Sequence, residues 1–363
     1  MPAALPSDAS PASSLSRRHT LLGLSALGAA SATALAGAPG AAAAALPLVA
    51  GQPAVAGQPA VVRSSLTTAW LQPGLARPGV DDPVTGAAPS PQAWVSRMSY
   101  AQQAWLVGRV DTQAWMGSRV IVRRISGAWA LVSFADQPAL TPSRRQTSWV
   151  PTAQLVRDTT YMAAQTTRRP VQVVRPSAPL YADAGLTRVR AHLPFSTRLP
   201  IQAYDIVRGR VWVPGVGVGW LRRRDFSYLP TTPPTAARVI ATAKRFLGVP
   251  SLWGGTSPYG FDCSGFTHTV FRSHAVMLPR DSGPQFYASG LPRISAGSLR
   301  AGDLVFWSHV PGGSTIRHVA LHLGAGMVIH APTVGAAVEI APFAAVNARG
   351  DYAGAVRPQY AAA

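Results

Sequence analysis

The last third of the chain alternates between helical and strand-like spacings of apolar residues. Apolar positions recur every three or four residues between Thr235 and Gly248, which predicts an amphipathic helix with these two residues as its N-cap and its stop. A second helix is predicted to begin at Cys263, where a glycine-rich loop ends. Residues 317–323 alternate between apolar and polar positions, and a further strand is predicted over 327–330. We therefore expect an α+β unit in which helices pack on an antiparallel sheet.

Upstream of this unit, the pattern changes to short β-type runs separated by glycine and proline turns, which is typical of small all-β barrels. The runs follow a similar order twice: an arginine-bearing strand, a strand containing tryptophan, and a closing tryptophan followed by an apolar residue. The predicted strands lie at 119–123, 129–134 and 148–150, and again at 198–201, 210–213 and 219–221. This arrangement resembles the bacterial SH3-like domains, with a helical pair predicted between residues 90 and 105 of the first copy.

Composition places the boundaries between these units. A stretch rich in proline, alanine and glycine over 46–61 is predicted to be a linker, and the proline cluster at 230–234 a second one. The two SH3-like domains then occupy 62–157 and 158–229, and the α+β domain occupies 235–363.

Residues 1–45 are predicted to be an export signal. Arg17 and Arg18 precede an apolar run that is followed by small residues. The paired arginines resemble a twin-arginine leader, although Thr20 stands where that motif usually has phenylalanine, so general secretion is the alternative. The apolar run is too short for an ordinary transmembrane helix. We therefore expect an extracytoplasmic protein, secreted or associated with the cell wall, without an integral membrane span after removal of the leader.

The chain is strongly basic, with 33 Lys and Arg residues against 14 Asp and Glu residues and a net charge of +19. Lys244 is the only lysine, so the positive charge belongs almost entirely to arginine. This balance favours anionic partners such as cell-wall polymers. Nucleic acid is the weaker alternative, because the arginines are scattered and the chain is predicted to be exported.

Cys263 is the only cysteine, so it cannot form an intramolecular disulfide. At a helix N-terminus, the free N–H groups and the helix dipole favour the thiolate, and we expect a lowered thiol pKa. His318 and His322 are on one face of a predicted strand, about 13 Å apart at ~3.3 Å per residue, so at most one of them reaches the thiol. A hairpin brings His330 beside His318, where it can orient the imidazole ring. This combination is typical of nucleophilic catalysis by a thiol; an inert buried cysteine is the alternative.

Several motifs appear in the order and spacing of the NlpC-type, papain-like cell-wall peptidases, across about residues 235–345. They are Trp253-Gly254-Gly255, Gly260-Phe261-Asp262-Cys263-Ser264-Gly265, Leu278-Pro279-Arg280, Ala301-Gly302-Asp303-Leu304-Val305-Phe306, the strand 318–324, and Ile329-His330-Ala331-Pro332.

The resemblance implies a papain-like fold and a peptidoglycan endopeptidase that cleaves stem peptides after γ-D-glutamate and before a diamino acid. It assigns Cys263 as the nucleophile, His318 as the general base and His330 as the residue that orients it. Predicted substrate-binding residues are Asp262, Ser264, Trp253 and Ser251. The family commonly has tyrosine where this chain has Ser251, which affects substrate preference and activity.

Two other functional classes fit the same residues. A wall-binding protein with an inactive peptidase domain is favoured by Ser251 and opposed by the intact Cys263, His318 and His330 set. An amidase or acyltransferase would use the same thiol chemistry on the same scaffold. The sequence contains no metal-ligand cluster or phosphate loop, and we expect neither a metal nor a cofactor.

Overall fold

In the computed structural model, residues 51–137 and 147–362 are described. The predicted export signal, 1–45, lies outside the described residues. Among those that are described, no helix is both long and apolar enough to cross a membrane.

Two antiparallel sheets of seven strands follow one another along the chain. The first has the order β3-β2-β6-β5-β4-β1-β7, and the second has the order β10-β9-β13-β12-β11-β8-β14. Their strands are β1 (Pro59–Val62), β2 (Leu66–Trp70), β3 (Val110–Trp115), β4 (Arg119–Ser126), β5 (Trp129–Phe134), β6 (Thr147–Pro151) and β7 (Leu155–Val156), then β8 (Pro170–Val173), β9 (Ser177–Tyr181), β10 (Val189–Pro194), β11 (Arg198–Tyr204), β12 (Arg208–Val213), β13 (Gly217–Arg222) and β14 (Phe226–Tyr228).

Adding seven to each strand number of the first sheet gives the order of the second, so the two sheets share one topology. Each of the six strands predicted from the tryptophan and arginine pattern lies within an observed strand. The assignment of the two sheets to the SH3-like class stays a prediction, as do the domain boundaries.

Three short helices lie between β2 and β3 of the first sheet. The equivalent strands of the second sheet, β9 and β10, are joined by a short connection. They are α1 (Asp82–Thr85), α2 (Pro91–Arg97) and α3 (Tyr100–Ala104), and α4 (Thr159–Thr167) joins the two sheets. A capping box starts α3, because the Ser99 side chain accepts from the Gln102 backbone N–H and the Gln102 side chain accepts from the Ser99 N–H. A helical insertion was predicted at this position.

The C-terminal region is α+β, with a six-stranded antiparallel sheet of order β17-β22-β18-β19-β20-β21. Its helices are α5 (Ala236–Lys244), α6 (Cys263–Arg272), α7 (Ser282–Tyr287) and α8 (Phe343–Val346), and its strands are the hairpin β15 (Thr256–Ser257) and β16 (Gly260–Phe261), then β17 (Arg293–Ile294), β18 (Leu304–Ser308), β19 (Ile316–Gly324), β20 (Met327–His330), β21 (Glu339–Pro342) and β22 (Tyr352–Val356).

Both faces of the six-stranded sheet are buried. On one face, Val319 and Leu321 of β19 pack in a cluster with Val239 of α5 and Phe266 of α6. On the other, Ala320 lies in a second cluster with Trp307, against which Phe343 and Tyr352 pack. The alternation in β19 therefore separates two packed layers.

Candidate active site

Cys263 is the first residue of α6, and Asp262 is the N-cap of that helix. The Asp262 carboxylate accepts hydrogen bonds from the backbone N–H groups of Gly265 at 2.7 Å and Gly254 at 2.9 Å. It also pairs with both terminal nitrogens of Arg280, at 3.0 and 2.6 Å. This network fixes the helix start, and with it the backbone that presents the thiol.

The two histidines of the predicted site are in contact. His318 Nε2 lies 2.7 Å from His330 Nδ1, and both residues are buried. Strand pairing explains the contact: β19 and β20 are antiparallel, with Leu321 opposite Ile329. The second nitrogen of His330, Nε2, lies 3.4 Å from Glu339 Oε1 on the neighbouring strand β21. His330 therefore lies between the Glu339 carboxylate and the His318 imidazole, although its Nε2 makes no hydrogen bond to Glu339.

Cys263, His318 and His330 line one cavity of about 340 Å³. Ser251, Trp253 and other side chains complete its wall. The sequence predicted this convergence from separate segments of the chain.

The predicted low pKa of the thiol is contradicted by its surroundings. Burial raises the pKa of Cys263 to about 12, and the Asp262 carboxylate acts in the same direction. Hydrogen bonding from Val319 N–H and the charge of Arg280 act against this shift. The helix N-terminus favours the thiolate, but the cost of desolvating the charge outweighs this effect.

The imidazoles are shifted towards the neutral form as well. Burial lowers the pKa of His318 to about 3, with smaller contributions from His330 and Arg317. Burial also lowers the pKa of His330, although Glu339 opposes the shift. These shifts favour a neutral thiol and a neutral imidazole in the shared cavity, a combination in which the imidazole is able to accept the thiol proton.

The four predicted substrate-binding residues have different environments. Trp253 and Ser251 line the cavity, and the Ser251 hydroxyl is buried without a hydrogen-bond partner within the described part of the chain. Asp262 also borders the cavity, but its carboxylate is occupied by the N-cap and by Arg280. Ser264 does not line the cavity, and its hydroxyl bonds Asp262 at 3.2 Å and Arg280 at 3.1 Å. These contacts give Ser264 a positioning role.

His322 does not reach the cavity. Its Nδ1 lies 3.0 Å from the Arg300 carbonyl oxygen, and the residue is buried. The cavity wall does not include it. Of the two outward histidines of this strand, only His318 borders the cavity, in keeping with the expectation that at most one of them reaches the thiol.

The first seven-stranded sheet and its insertion form part of the site. Val107, which follows α3, lines the cavity. Trp253 Nε1 donates to the Val110 carbonyl oxygen at 2.8 Å, and Arg280 Nε donates to Thr112 Oγ1 at 2.8 Å. Gly254 has a φ of +76°, and a Cβ there would come within 2.5 Å of the Val110 side chain. The first sheet therefore packs closely against the Trp253-Gly254-Gly255 motif that precedes Cys263.

Arg280 was visible in the sequence only as part of a motif, with no role assigned. Burial disfavours its charge, but the Asp262 carboxylate more than compensates, so the pKa of Arg280 lies above its ordinary value. The buried pair connects the start of α6, the motif 278–280 and, through Thr112, the first sheet. In the described ranges, 51–137 and 147–362, no group of three His, Cys, Asp or Glu side chains is placed to hold a metal ion.

Known proteins resemble both the C-terminal region and most of the chain. The NlpC/P60 family model matches residues 248–357. A gamma-D-glutamyl-L-lysine dipeptidyl-peptidase from Bacillus cereus is 35% identical, over 81% of this chain and 89% of that protein. Its namesake from Bacillus subtilis is 32% identical, over 77% of this chain and 92% of that protein. The crystal structure of an NlpC/P60 family protein from Bacillus cereus is 34% identical, with a TM-score of 0.76, over 83% of this chain and 99% of that one.

Proposed function

The chain belongs to the NlpC/P60 family and is a cysteine peptidase that hydrolyses peptidoglycan peptides, and we propose that it cleaves the bond between γ-D-glutamate and the following diamino acid. The observation that carries this proposal is the shared cavity of Cys263 and the His318–His330 pair. The names of the two Bacillus relatives support the same bond and suggest L-lysine as the diamino acid.

In the proposed mechanism, Cys263 Sγ attacks the γ-carbonyl carbon of D-glutamate and His318 accepts the thiol proton. The backbone N–H of Cys263 stabilises the oxyanion. His318 then returns the proton to the leaving amine of the diamino acid, and water hydrolyses the thioester with the same imidazole as base. Since His318 Nε2 contacts His330, its Nδ1 is the nitrogen available to the thiol.

The test is mass spectrometry of L-Ala-γ-D-Glu-L-Lys after incubation with the full-length protein. We expect L-Ala-D-Glu and free lysine as products, and no products with Cys263→Ala. Cleavage of another amide bond would favour the amidase alternative, and no cleavage of this tripeptide or of any defined muropeptide would favour the inactive wall-binding alternative.

We further propose that the first seven-stranded unit selects substrates with a free amino terminus. Val107, which follows the helical insertion of this unit, lines the cavity, and this supports exclusion of peptides still attached to glycan. The full-length protein should cleave the free tripeptide much faster than its N-acetylated form or intact sacculi. Equal rates on the free and the N-acetylated peptide would reject this selection.

Export and wall association complete the proposal. The arginine-led N-terminus supports export, and the net charge of +19 supports contact with anionic wall polymers. The two seven-stranded units are proposed to be SH3-like domains. Cell fractionation, with N-terminal sequencing of the mature protein, tests the export; a full-length chain found only in the cytoplasm would reject it.

A further inference from the structure

A second cavity, of about 370 Å³, lies outside the active site. Its wall combines Arg63 and Ser64 from the first sheet region with Arg190 and His192 from β10. Tyr259, in the turn between β15 and β16, closes it on the side of the catalytic region. No residue lines both this cavity and the one that contains Cys263. The two cavities therefore can hold different ligands.

The side chains that line this second cavity are basic or neutral. Two guanidinium groups and an imidazole border it, and its wall contains no Asp or Glu. Within residues 51–137 and 147–362, neither the Arg63 nor the Arg190 side chain forms an ion pair or a hydrogen bond. Arg188, two residues before Arg190, is by contrast paired with Asp183. Both arginines are exposed, so their donors face solvent at the edge of the cavity and are available to an anionic ligand.

The remaining wall adds neutral hydrogen-bonding groups and an apolar portion. Ser65 and Ser90 offer donors and acceptors, and Met116 and Val213 offer apolar surface, whereas the Tyr259 hydroxyl already lies 3.2 Å from Ser177 Oγ. Ser64 is buried, and its hydroxyl has no partner among the described residues. A volume of about 370 Å³ suits a small organic molecule rather than a bare ion.

We propose that this cavity binds a small phosphate monoester. The guanidinium group of arginine binds two phosphate oxygens at once in a bidentate geometry. Two arginines carry two permanent positive charges, which match the two negative charges of a phosphate monoester better than the one charge of a carboxylate. The apolar portion of the wall then accommodates the organic part of the ligand.

Isothermal titration of the full-length protein with inorganic phosphate, at constant ionic strength, tests the proposal. Saturable binding of one phosphate per chain is expected, with acetate binding at least tenfold more weakly. Arg63→Gln and Arg190→Gln should each weaken phosphate binding by about tenfold, as expected for the loss of a charge-assisted contact. Arg97→Gln is the matched control, because Arg97 is an exposed arginine outside the cavity wall, and it should leave the affinity unchanged.

Cys263→Ala should bind phosphate as the unaltered protein does, so the result does not depend on the proposed peptidase reaction. Absence of saturable binding, equal losses in Arg97→Gln and the two cavity variants, or tighter binding of the dicarboxylate succinate than of phosphate would each overturn the proposal.

Discussion

At the scale of single residues, the environment of Cys263 favours a protonated thiol. Its place at the start of α6 favours the thiolate, but burial and the adjacent Asp262 carboxylate act in the opposite direction. His318 is shifted towards the neutral form by burial. These shifts favour activation of the proposed nucleophile by proton transfer to His318 during the reaction over prior ionisation of the thiol.

This balance predicts how the thiol reacts with a neutral alkylating agent. The rate of iodoacetamide modification should rise with pH with a midpoint above the ordinary value of 9.0, because burial raises the pKa of the Cys263 thiol. Cys263→Ser is the blank, since it removes the only thiol. A midpoint near or below neutrality would mean that the site stabilises a thiolate.

Ser251 brings to the cavity wall a hydroxyl that has no hydrogen-bond partner among the described residues. The residue is 2% exposed, and a larger phenol at this position would extend its hydroxyl further into the cavity. Ser251→Tyr should raise kcat/KM on stem peptides by up to about tenfold, because one added hydrogen bond contributes about 0.5–1.5 kcal/mol. Steady-state kinetics on the tripeptide measure the change, with Ser251→Ala as the comparison. A loss of activity in Ser251→Tyr would show that the cavity is built around serine for a different ligand.

Arg280 is 1% exposed and forms a two-point ion pair with Asp262. Arg280→Met would leave the carboxylate without its cation and should lower the free energy of unfolding by about 3–5 kcal/mol. Adding Asp262→Asn should recover part of that loss, because the remaining N-cap side chain is then neutral. Urea unfolding of both single variants and the double variant measures this coupling. Additive losses would mean that the two side chains are energetically independent.

At the scale of elements, β19 gives two similar histidines different roles. His318 borders the cavity, whereas His322 bonds the Arg300 carbonyl oxygen outside it. His318→Ala should lower kcat by orders of magnitude, while His322→Ala should leave both kcat and KM within about twofold provided that the fold is retained. Kinetics of the two variants, with circular dichroism for the fold, check this difference. A similar fall in kcat for both variants would mean that β19 pairs with its neighbouring strands in a different register.

The elements that the sequence predicted well are those with a local pattern. The spacing from Thr235 to Gly248 predicted α5, the loop ending at Cys263 predicted α6, and alternation predicted β19. The short strands β21 and β22 have weak local patterns and form only because the sheet supplies partners. For the same reason, burial of His322 depends on side chains distant in sequence, which no periodicity records.

Within the active site, the sequence predicted the residues that converge but not their protonation. Cys263, His318 and His330 carry recognisable chemistry in recognisable motifs, and they line one cavity. Desolvation of the thiol and the place of Val107 in the cavity wall both involve segments that are distant in sequence. These properties depend on the tertiary arrangement, since neither leaves a local signal in the sequence.

At the scale of the whole described molecule, the β units and the catalytic region share a buried polar interface. The Arg272 guanidinium lies over the Trp115 ring at 4.3 Å, and it bonds Ser196 Oγ at 2.9 Å and pairs with Asp136 at 3.3 Å. His268 of α6 stacks on Trp115, with ring centroids 6.1 Å apart. One arginine of the catalytic region therefore contacts both sheet units, and a histidine is enclosed beside it.

His268 makes this interface sensitive to acid. The residue is fully buried, its Nδ1 lies 2.8 Å from the Leu278 carbonyl oxygen, and its Nε2 has no partner among the described residues. Burial, together with the charges of Arg272 and Arg280, lowers the pKa of His268 to about 4 in the folded protein. The unfolded chain binds this proton near pH 6.5, so the folded state loses stability as the pH falls from about 6.5 to 4, and the loss ends below that range.

The loss attributable to His268 is on the order of 3 kcal/mol, since each pKa unit corresponds to about 1.4 kcal/mol. His268→Asn can keep the hydrogen bond to Leu278, forfeits no contact at the unpartnered Nε2, and removes the titrating group. The variant should be less stable at pH 7, because a smaller side chain leaves a gap beside Trp115, but its stability should fall less between pH 6.5 and 4. Thermal unfolding across this range measures both effects, with His192→Asn as an exposed control that keeps the original slope. If His268→Asn and the unaltered protein lost stability in parallel, the acid sensitivity would have to come from His318 and the other buried groups.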